Sequence, residues 1–230
     1  MAFISPEDGY LTVMNLFDTD SFASQERLLP VMEDIINNAD YPGWISSTLH
    51  SAFDRPGTAN YIQWRSLADL QDRYSGRTFR HETVPLFKEL ATGIHLIKTE
   101  VVSSHLHPEL KGKVEISPKR DDLTVIVVFT VEPENQAALV KELSQPDEWL
   151  TSVPGYRSHC ILRDIEGTRV LNYAQWESKA LYDAYHTMPE ESRPKDNQAM
   201  RQRARSLVTS RLANTYAVTH TRSATDTQAG

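Results

Sequence analysis

The hydrophobic positions of the chain fall into two successions of segments that have the same order. Residues 10–17 and 123–131 are apolar at nearly every position, which is typical of strands covered on both faces. After each of them the pattern predicts a helix, two strands joined by a hairpin turn, a further helical region and a last strand. The order βαββαβ is that of the ferredoxin-like unit, so the sequence predicts an α+β fold built from two such units.

The two successions are repeats of one sequence. A shift of 112 residues brings residues 11–13 onto the identical residues 123–125, and it brings the Asn-Tyr-x-Gln-Trp-x-Ser strand at 60–66 onto the same motif at 172–178. Two repeats of this length indicate a duplicated domain rather than a solenoid. We expect one domain at residues 1–106, a linker at 107–121, a second domain at 122–221 and a disordered tail at 222–230.

The apolar strands predict how the two units assemble. Helices cover one face of each sheet, and the other face needs a second sheet, which the other repeat supplies. We therefore predict that the two sheets close into one α+β barrel, an intrachain pseudo-dimer. In the second repeat the helices are predicted at 133–150, 178–185 and 197–211, and the last strand is predicted at 212–221.

Composition restricts the class of partner. The formal net charge of -7 and the pI near 5.6 oppose a basic face for nucleic acid or an anionic membrane, so we expect a small, apolar partner. Cys160 is the single cysteine, which excludes an intrachain disulfide and is typical of a cytoplasmic protein. The sequence predicts neither a signal peptide nor a membrane span, since its apolar stretches are far shorter than the ~20 residues a bilayer requires.

The repeated strand carries the first candidates for chemistry. Side chains two and four positions apart share a face, so Asn60 and Trp64 lie on one face about 13 Å apart, a spacing that suits a flat aromatic ligand. Asn172 and Trp176 repeat this arrangement. Both tryptophans also have a purely structural interpretation as core residues.

Asn15 interrupts the first apolar strand, where an amide without partners would cost about 1–3 kcal/mol if it did not face a polar cavity. Its counterpart in the second repeat is Val127.

His105 and His107 have a spacing that places two imidazoles on one face of a strand, but no further ligand lies nearby, so no metal site is predicted. The sequence contains no phosphate-binding loop, nucleophile elbow, Cys-x-x-Cys, or flavin, haem or nicotinamide motif.

The βαββαβ order, the Pro-Gly-aromatic turns at 42–44 and 154–156 and the repeated strand together resemble the antibiotic biosynthesis monooxygenase family. The resemblance covers residues 10–106 and 122–221 and is with the tandem-domain, quinone-forming members from aromatic polyketide pathways. It implies a cofactor-independent monooxygenase that oxidises a polycyclic anthrone or naphthol to a quinone with molecular oxygen, without metal or organic cofactor. Whether the pseudo-dimers pair further into a homodimer stays open.

The resemblance also implies residue roles. Asn15, Asn60 and Trp64 match the catalytic residues of single-domain anthrone oxygenases, and the second repeat offers Asn172 and Trp176. His50, on the preceding strand, is a candidate base. The predicted substrate-binding residues are His50, Tyr74, Tyr182 and His186. Because Val127 replaces the first-strand Asn, we expect the first repeat to hold the better equipped site.

Two other functions stay open at this point. The spacing between Trp176 and His186 also resembles the haem-degrading monooxygenases of the same superfamily. A non-catalytic, ligand-binding α+β barrel, in which Asn and Trp only shape a pocket, is the third hypothesis.

Overall fold

The computed structural model describes residues 2–225. Its strands are β1 (Ala2–Ile4), β2 (Leu11–Asp18), β3 (Trp44–Ala52), β4 (Gly57–Trp64), β5 (Gly93–Leu106), β6 (Val114–Ile116), β7 (Leu123–Val131), β8 (Tyr156–Asp164), β9 (Arg169–Trp176) and β10 (Val208–Ser223). Its helices are α1 (Phe22–Asn37), α2 (Leu67–Ser75), α3 (Val84–Leu90), α4 (Gln136–Leu143), α5 (Glu148–Thr151), α6 (Lys179–Thr187) and α7 (Lys195–Leu207). A π-helical turn, Phe79–Thr83, precedes α3.

Eight antiparallel strands close into a barrel in the order β10-β3-β4-β2-β5-β8-β9-β7. The long strands β5 and β10 join the repeats, because β5 pairs with β8 and β10 pairs with β3. The helices lie outside the barrel. The tandem ferredoxin-like α+β barrel predicted from the sequence is therefore confirmed.

A two-stranded sheet of β1 and β6 packs against the barrel interior, with Ile4 and Ile116 fully buried. Its strands are offset by the same 112 residues as the repeats. Gln63 Nε2 donates to the carbonyl of Phe3 at 2.9 Å, and Gln175 Nε2 donates to that of Glu115 at 2.8 Å. Each repeat thus fastens one strand of this sheet through the Gln of its repeated motif.

Serine side chains cap the N-termini of α1, α2 and α6. The Ser66 side chain accepts a hydrogen bond from the backbone N–H of the residue three positions later, and so does the Ser178 side chain. Ser21 does the same for α1. Such caps satisfy a helix N–H that has no partner within the helix. The helix α1 runs through Pro30 without interruption.

The helix and strand bounds predicted for the second repeat differ from those of the structure. The helix predicted at 133–150 is divided into a short 3-10 turn, α4 and α5, because Pro146 has no backbone N–H and lies between them. The helix α7 ends at Leu207, and β10 begins at Val208 instead of 212. The segment expected to be a linker contains β6. The strand β10 continues to Ser223, inside the range expected to be disordered, and residues 226–230 of that range lie outside the described residues.

The barrel interior is filled by side chains. Tyr61, Tyr173 and Cys160 are fully buried there together with aliphatic residues of both repeats. Burial raises the pKa of the Cys160 thiol, as expected for a structural cysteine in an apolar site. No helix within residues 2–225 is long and apolar enough to cross a membrane.

Candidate active site

The helix-facing surface of each half-barrel carries the repeated Asn and Trp. Asn60, Ile62 and Trp64 of β4 share that face, while Tyr61 and Gln63 point into the barrel, as the alternation predicts. Asn15 of β2 pairs directly with Asn60 in the β2–β4 register. In the second repeat the same register pairs Val127 with Asn172.

The first repeat brings its three predicted catalytic residues together around a cavity of about 60 Å³. Asn15 Oδ1, Asn60 Oδ1 and Trp64 Nε1 are buried there without a hydrogen-bond partner in the described chain. Unpaired buried polar atoms are costly, which is why they mark positions where a ligand or water binds. The cavity, however, is far smaller than the roughly 300–1,000 Å³ usual for ligand pockets.

Aromatic side chains close the first cavity. Tyr74 of α2 stacks on Phe79 of the π-helical turn with ring centroids 4.4 Å apart, and the Arg73 guanidinium lies 4.0 Å from the Tyr41 ring. Tyr41 in turn stacks on Trp64. Burial raises the pKa of the Tyr74 hydroxyl, and the neighbouring Asn15 amide opposes that shift. Tyr74 therefore lines the cavity, as predicted, and also fills part of the space a ligand would need.

The second repeat holds a cavity of about 340 Å³, within the usual size range for ligand pockets. Its floor is β7, β8 and β9, and its cover is α6 and α7. The apolar lining includes Val125, Val127, Ile161, Ala174 and Leu150. The larger pocket belongs to the second repeat, and Val127 contributes an apolar wall where the first repeat has an amide.

Polar groups are few on this floor. Asn172 Oδ1 is buried without a hydrogen-bond partner in residues 2–225. His159 pairs with Ala174 in the β8–β9 register, between Asn172 and Trp176, and lines the cavity. Asn172, His159 and Trp176 thus form a polar and aromatic strip across an apolar pocket.

The tautomer of His159 is coupled to the direction in which the Tyr156 hydroxyl points. The Tyr156 hydroxyl donates to the carbonyl of His105 at 3.3 Å and lies 2.8 Å from His159 Nδ1. A hydroxyl has one proton, so when Tyr156 donates to the His105 carbonyl, Nδ1–H donates to Tyr156 and Nε2 keeps a lone pair for a ligand. Burial, and to a lesser extent the stacked His105 ring, lower the pKa of His159 to about 3, so this lone pair stays free at neutral pH.

The cover of the second pocket carries the predicted Tyr182 and His186. Both lie on α6 with rings stacked 5.3 Å apart, and both line the cavity. Tyr185, which the sequence analysis did not single out, lies 4.9 Å from the Trp176 ring. Burial lowers the pKa of His186, and the nearby Arg211, Arg201 and Arg193 lower it further.

His50 is the predicted site residue that the structure places elsewhere. It is fully buried inside the barrel, where Nδ1 bonds the carbonyl of Ala59 at 3.1 Å and Nε2 lies 2.9 Å from the Tyr173 hydroxyl. A β-bulge between Trp44 and Ser46 reverses the alternation of β3, so Trp44 faces the helices and His50 faces inward. His50 therefore contacts neither pocket.

The equivalent bulge in β8, between Tyr156 and Ser158, turns His159 toward the helices. Sequence reasoning missed His159 because its counterpart in the first repeat is Ser47, which bonds Trp44 Nε1 at 2.9 Å. The signal available in the sequence was that Tyr156 and His159 occupy the positions that Trp44 and Ser47 occupy in the first repeat.

His105 stacks on His159, and His107 Nε2 bonds the carbonyl of Thr151. Within the described residues no group of three or more His, Cys, Asp or Glu side chains could hold a metal ion.

Comparisons with known proteins show which family has this fold. A model of the antibiotic biosynthesis monooxygenase family matches residues 122–192, which include the floor strands of the larger pocket. Tetracenomycin-F1 monooxygenase of Streptomyces glaucescens is 39% identical over 75 residues, which are 32% of this chain and 67% of that protein.

The crystal structure of an anthrone oxidase-like protein is similar along nearly the whole chain. It is 43% identical, covers 97% of each chain and has a TM-score of 0.91. A putative monooxygenase of Fusobacterium nucleatum shares the fold, with a TM-score of 0.63. It is 10% identical, and the match covers 94% of this chain and 95% of that one. The chain is an oxidoreductase that belongs to the antibiotic biosynthesis monooxygenase family.

Proposed function

We propose that this protein is a cofactor-independent monooxygenase that uses O₂ to oxidise a polycyclic aromatic polyketide of the anthrone or naphthol type to a quinone. The observation that carries the proposal is the second-repeat pocket, a cavity of about 340 Å³ whose apolar floor presents Asn172, His159 and Trp176. The names of the similar proteins, a tetracenomycin-F1 monooxygenase and an anthrone oxidase-like protein, support the same substrate class.

The reaction replaces a ring CH₂ by a carbonyl, with one oxygen atom of O₂ entering the substrate and the other leaving as water. The CH₂ group loses a proton, and the resulting enolate passes one electron to O₂. The two radicals combine into a substrate peroxide anion, which takes back the proton that the CH₂ group lost; the resulting hydroperoxide loses water to give the carbonyl. The substrate itself supplies the electrons, so the protein has to favour the enolate and hold it beside O₂.

The pocket residues divide these tasks. His159 Nε2 accepts the proton, and its low pKa makes it a weak base, so the enolate needs further stabilisation. The Asn172 amide can donate to the developing oxyanion, an interaction worth about 2.7–4 kcal/mol when well aimed. Trp176 and the α6 side chains cover the ring and exclude water. Asn15, Asn60 and Trp64 present polar atoms for similar chemistry, but Tyr74 and Phe79 would have to move before a polycycle could enter.

Oxygen uptake and quinone absorbance with dithranol, in buffer treated with chelator, test the proposal. We expect Asn172→Ala and His159→Gln each to lower kcat by about a hundredfold, and Trp176→Phe to raise KM. The matched first-repeat variants Asn60→Ala and Trp64→Phe should have smaller effects. Wild-type protein that leaves dithranol unoxidised, or activity unchanged in all these variants, would show that the proposal is wrong.

The two alternatives give different results in the same set of experiments. A haem-degrading enzyme would develop a Soret band on haem titration and then lose it with a reductant and O₂. A non-catalytic binding protein would bind dithranol without oxygen uptake. We expect neither outcome.

A further inference from the structure

The mouth of the second-repeat pocket is basic, although the chain as a whole carries a formal charge of -7. Arg201 and Arg205 of α7 and Arg211 of β10 all line the cavity. Glu190 pairs with two of them, at 3.1 Å from Arg201 and 3.0 Å from Arg205. Arg211 has no ion pair with any carboxylate in residues 2–225, so no carboxylate neutralises its charge directly.

Another carboxylate lines the pocket, that of Asp147, but it is already bonded elsewhere. Its Oδ2 accepts from Asn197 Nδ2 at 2.6 Å, and its Oδ1 caps α5 by accepting from the backbone N–H of Leu150 at 3.1 Å. Asp147 thus has its own hydrogen-bond partners and forms no ion pair with Arg211.

Arg211 is exposed to solvent and lies at the wall of the cavity. It pairs with Phe129 in the β7–β10 register, so its side chain lies on the pocket face with Phe129 and Val127. Burial raises the pKa of the Tyr182 hydroxyl, and the adjacent Arg211 guanidinium opposes that rise. The guanidinium thus lies beside an aromatic side chain of the cover, at the edge of an otherwise apolar cavity.

The register also fixes how far Arg211 lies from the reacting end. Asn172 of β9 pairs with Val127 of β7, and Val127 pairs with Ala213 of β10. Arg211 lies two residues before Ala213 on the same strand. Two strand spacings across and two residues along the sheet give a separation of about 12 Å between the Asn172 and Arg211 backbones. This length is comparable with the long axis of a fused polycycle.

We infer that the substrate of this pocket carries an ionised acidic group, a carboxylate, at the end remote from the oxidised ring, and that Arg211 binds it. The inference names the substrate class of the site described above and so rests on the proposed function. A guanidinium pairs with a carboxylate through two parallel hydrogen bonds, and a basic mouth also attracts an anion before contact. In the first repeat the equivalent position, opposite Phe17, is Ile94, so the anion site belongs to the second repeat alone.

Equilibrium binding of two matched probes tests this inference without turnover. Anthraquinone-2-carboxylate and anthraquinone-2-carboxamide have the same ring system and differ in charge. We expect wild-type protein to bind the carboxylate about tenfold more tightly than the amide, with an advantage that shrinks as salt is raised. Arg211→Met and Arg211→Gln should bind both probes about equally, and Arg211→Lys should keep part of the preference.

Arg203→Met is the matched control, because Arg203 lies on α7, pairs with Glu142 and does not line the cavity. It should keep the full preference. Equal binding of both probes by wild-type protein, or a preference that survives Arg211→Met and Arg211→Gln, would overturn the inference. Dithranol has no carboxylate, so its oxidation by wild-type protein decides the proposed function separately.

Discussion

At the scale of single residues, the repeated motif combines structural and pocket-facing positions. Its Tyr fills the barrel interior, its Gln fastens the two-stranded sheet and its Ser caps the following helix. These three positions explain why the motif is retained in both repeats without reference to chemistry. The Asn and the Trp face the pockets together with the apolar residue between them, and Asn60 Oδ1, Trp64 Nε1 and Asn172 Oδ1 have no partner in the described chain.

His50 makes the stability of the fold sensitive to acid. Burial lowers its pKa from 6.5 to about 4, so its contribution to stability is complete above pH 6.5 and is lost as the pH falls toward 4. Between pH 7.5 and 5.5, wild-type protein should lose about 1.4 kcal/mol more unfolding free energy than His50→Gln, whose side chain does not titrate. Urea unfolding at the two pH values measures this difference.

His95→Gln is the control for that measurement, because His95 lies at the surface beside Asp18. Its loss of stability between the two pH values should follow that of wild-type protein. Equal losses in His50→Gln and wild-type protein would contradict the assignment of acid sensitivity to His50.

At the scale of elements, paired β-bulges decide which side chains reach the pockets. In β3 and β8 one extra residue after the Pro-Gly-aromatic turn reverses the strand alternation. Strict alternation from Trp44 would put His50 on the pocket face, and strict alternation from Tyr156 would put His159 inside the barrel. Because bulges depend on the pairing of neighbouring strands, the alternation of residues along β3 or β8 does not by itself predict this reversal.

The turn before β8 positions the cover of the pocket. Gly155 has φ +82°, and an added Cβ would lie 2.6–2.7 Å from Leu181 of α6, the helix that carries Tyr182 and His186. We expect Gly155→Ala to reduce stability by about 2–4 kcal/mol and to weaken ligand binding, since backbone strain is added to a displacement of α6. Thermal unfolding and probe titration measure both effects.

Gly167→Ala is a close control, because Gly167 has φ +86° but no atom within 4 Å of an added Cβ. It should show the conformational cost of about 1 kcal/mol alone, with ligand binding unchanged. If both variants bind the probe as well as wild-type protein, α6 is not positioned through Gly155.

At the scale of the whole molecule, the two repeats share a framework and differ in the space they enclose. The helices α2 and α6 cover equivalent positions, but Tyr74 and the π-helical turn fill the first pocket where the second stays open. The strands β1 and β6 are equivalent as well, and on that basis we propose that the second repeat begins at residue 114 instead of 122.

The asymmetry predicts one ligand per chain. Calorimetric titration of wild-type protein with anthraquinone-2-carboxamide should give a stoichiometry near one, since the first cavity is too small for a polycycle. Tyr74→Ala combined with Phe79→Ala removes the stacked pair and should raise the stoichiometry toward two. Phe53→Ala, at a half-exposed position away from both pockets, should leave it at one. Two sites of equal affinity in wild-type protein would contradict this prediction.

The sequence by itself determined the duplication, the βαββαβ order, the closed barrel and the pocket-facing Asn and Trp, because these depend on local periodicity and on the need to cover apolar strands. The tertiary structure alone decided which repeat has room for a ligand, that His159 replaces His50 at the pocket, and that Arg211 stands at its mouth without a carboxylate partner in residues 2–225. Those features depend on bulges, strand register and the packing of helix side chains across the barrel, which bring together residues far apart in the chain.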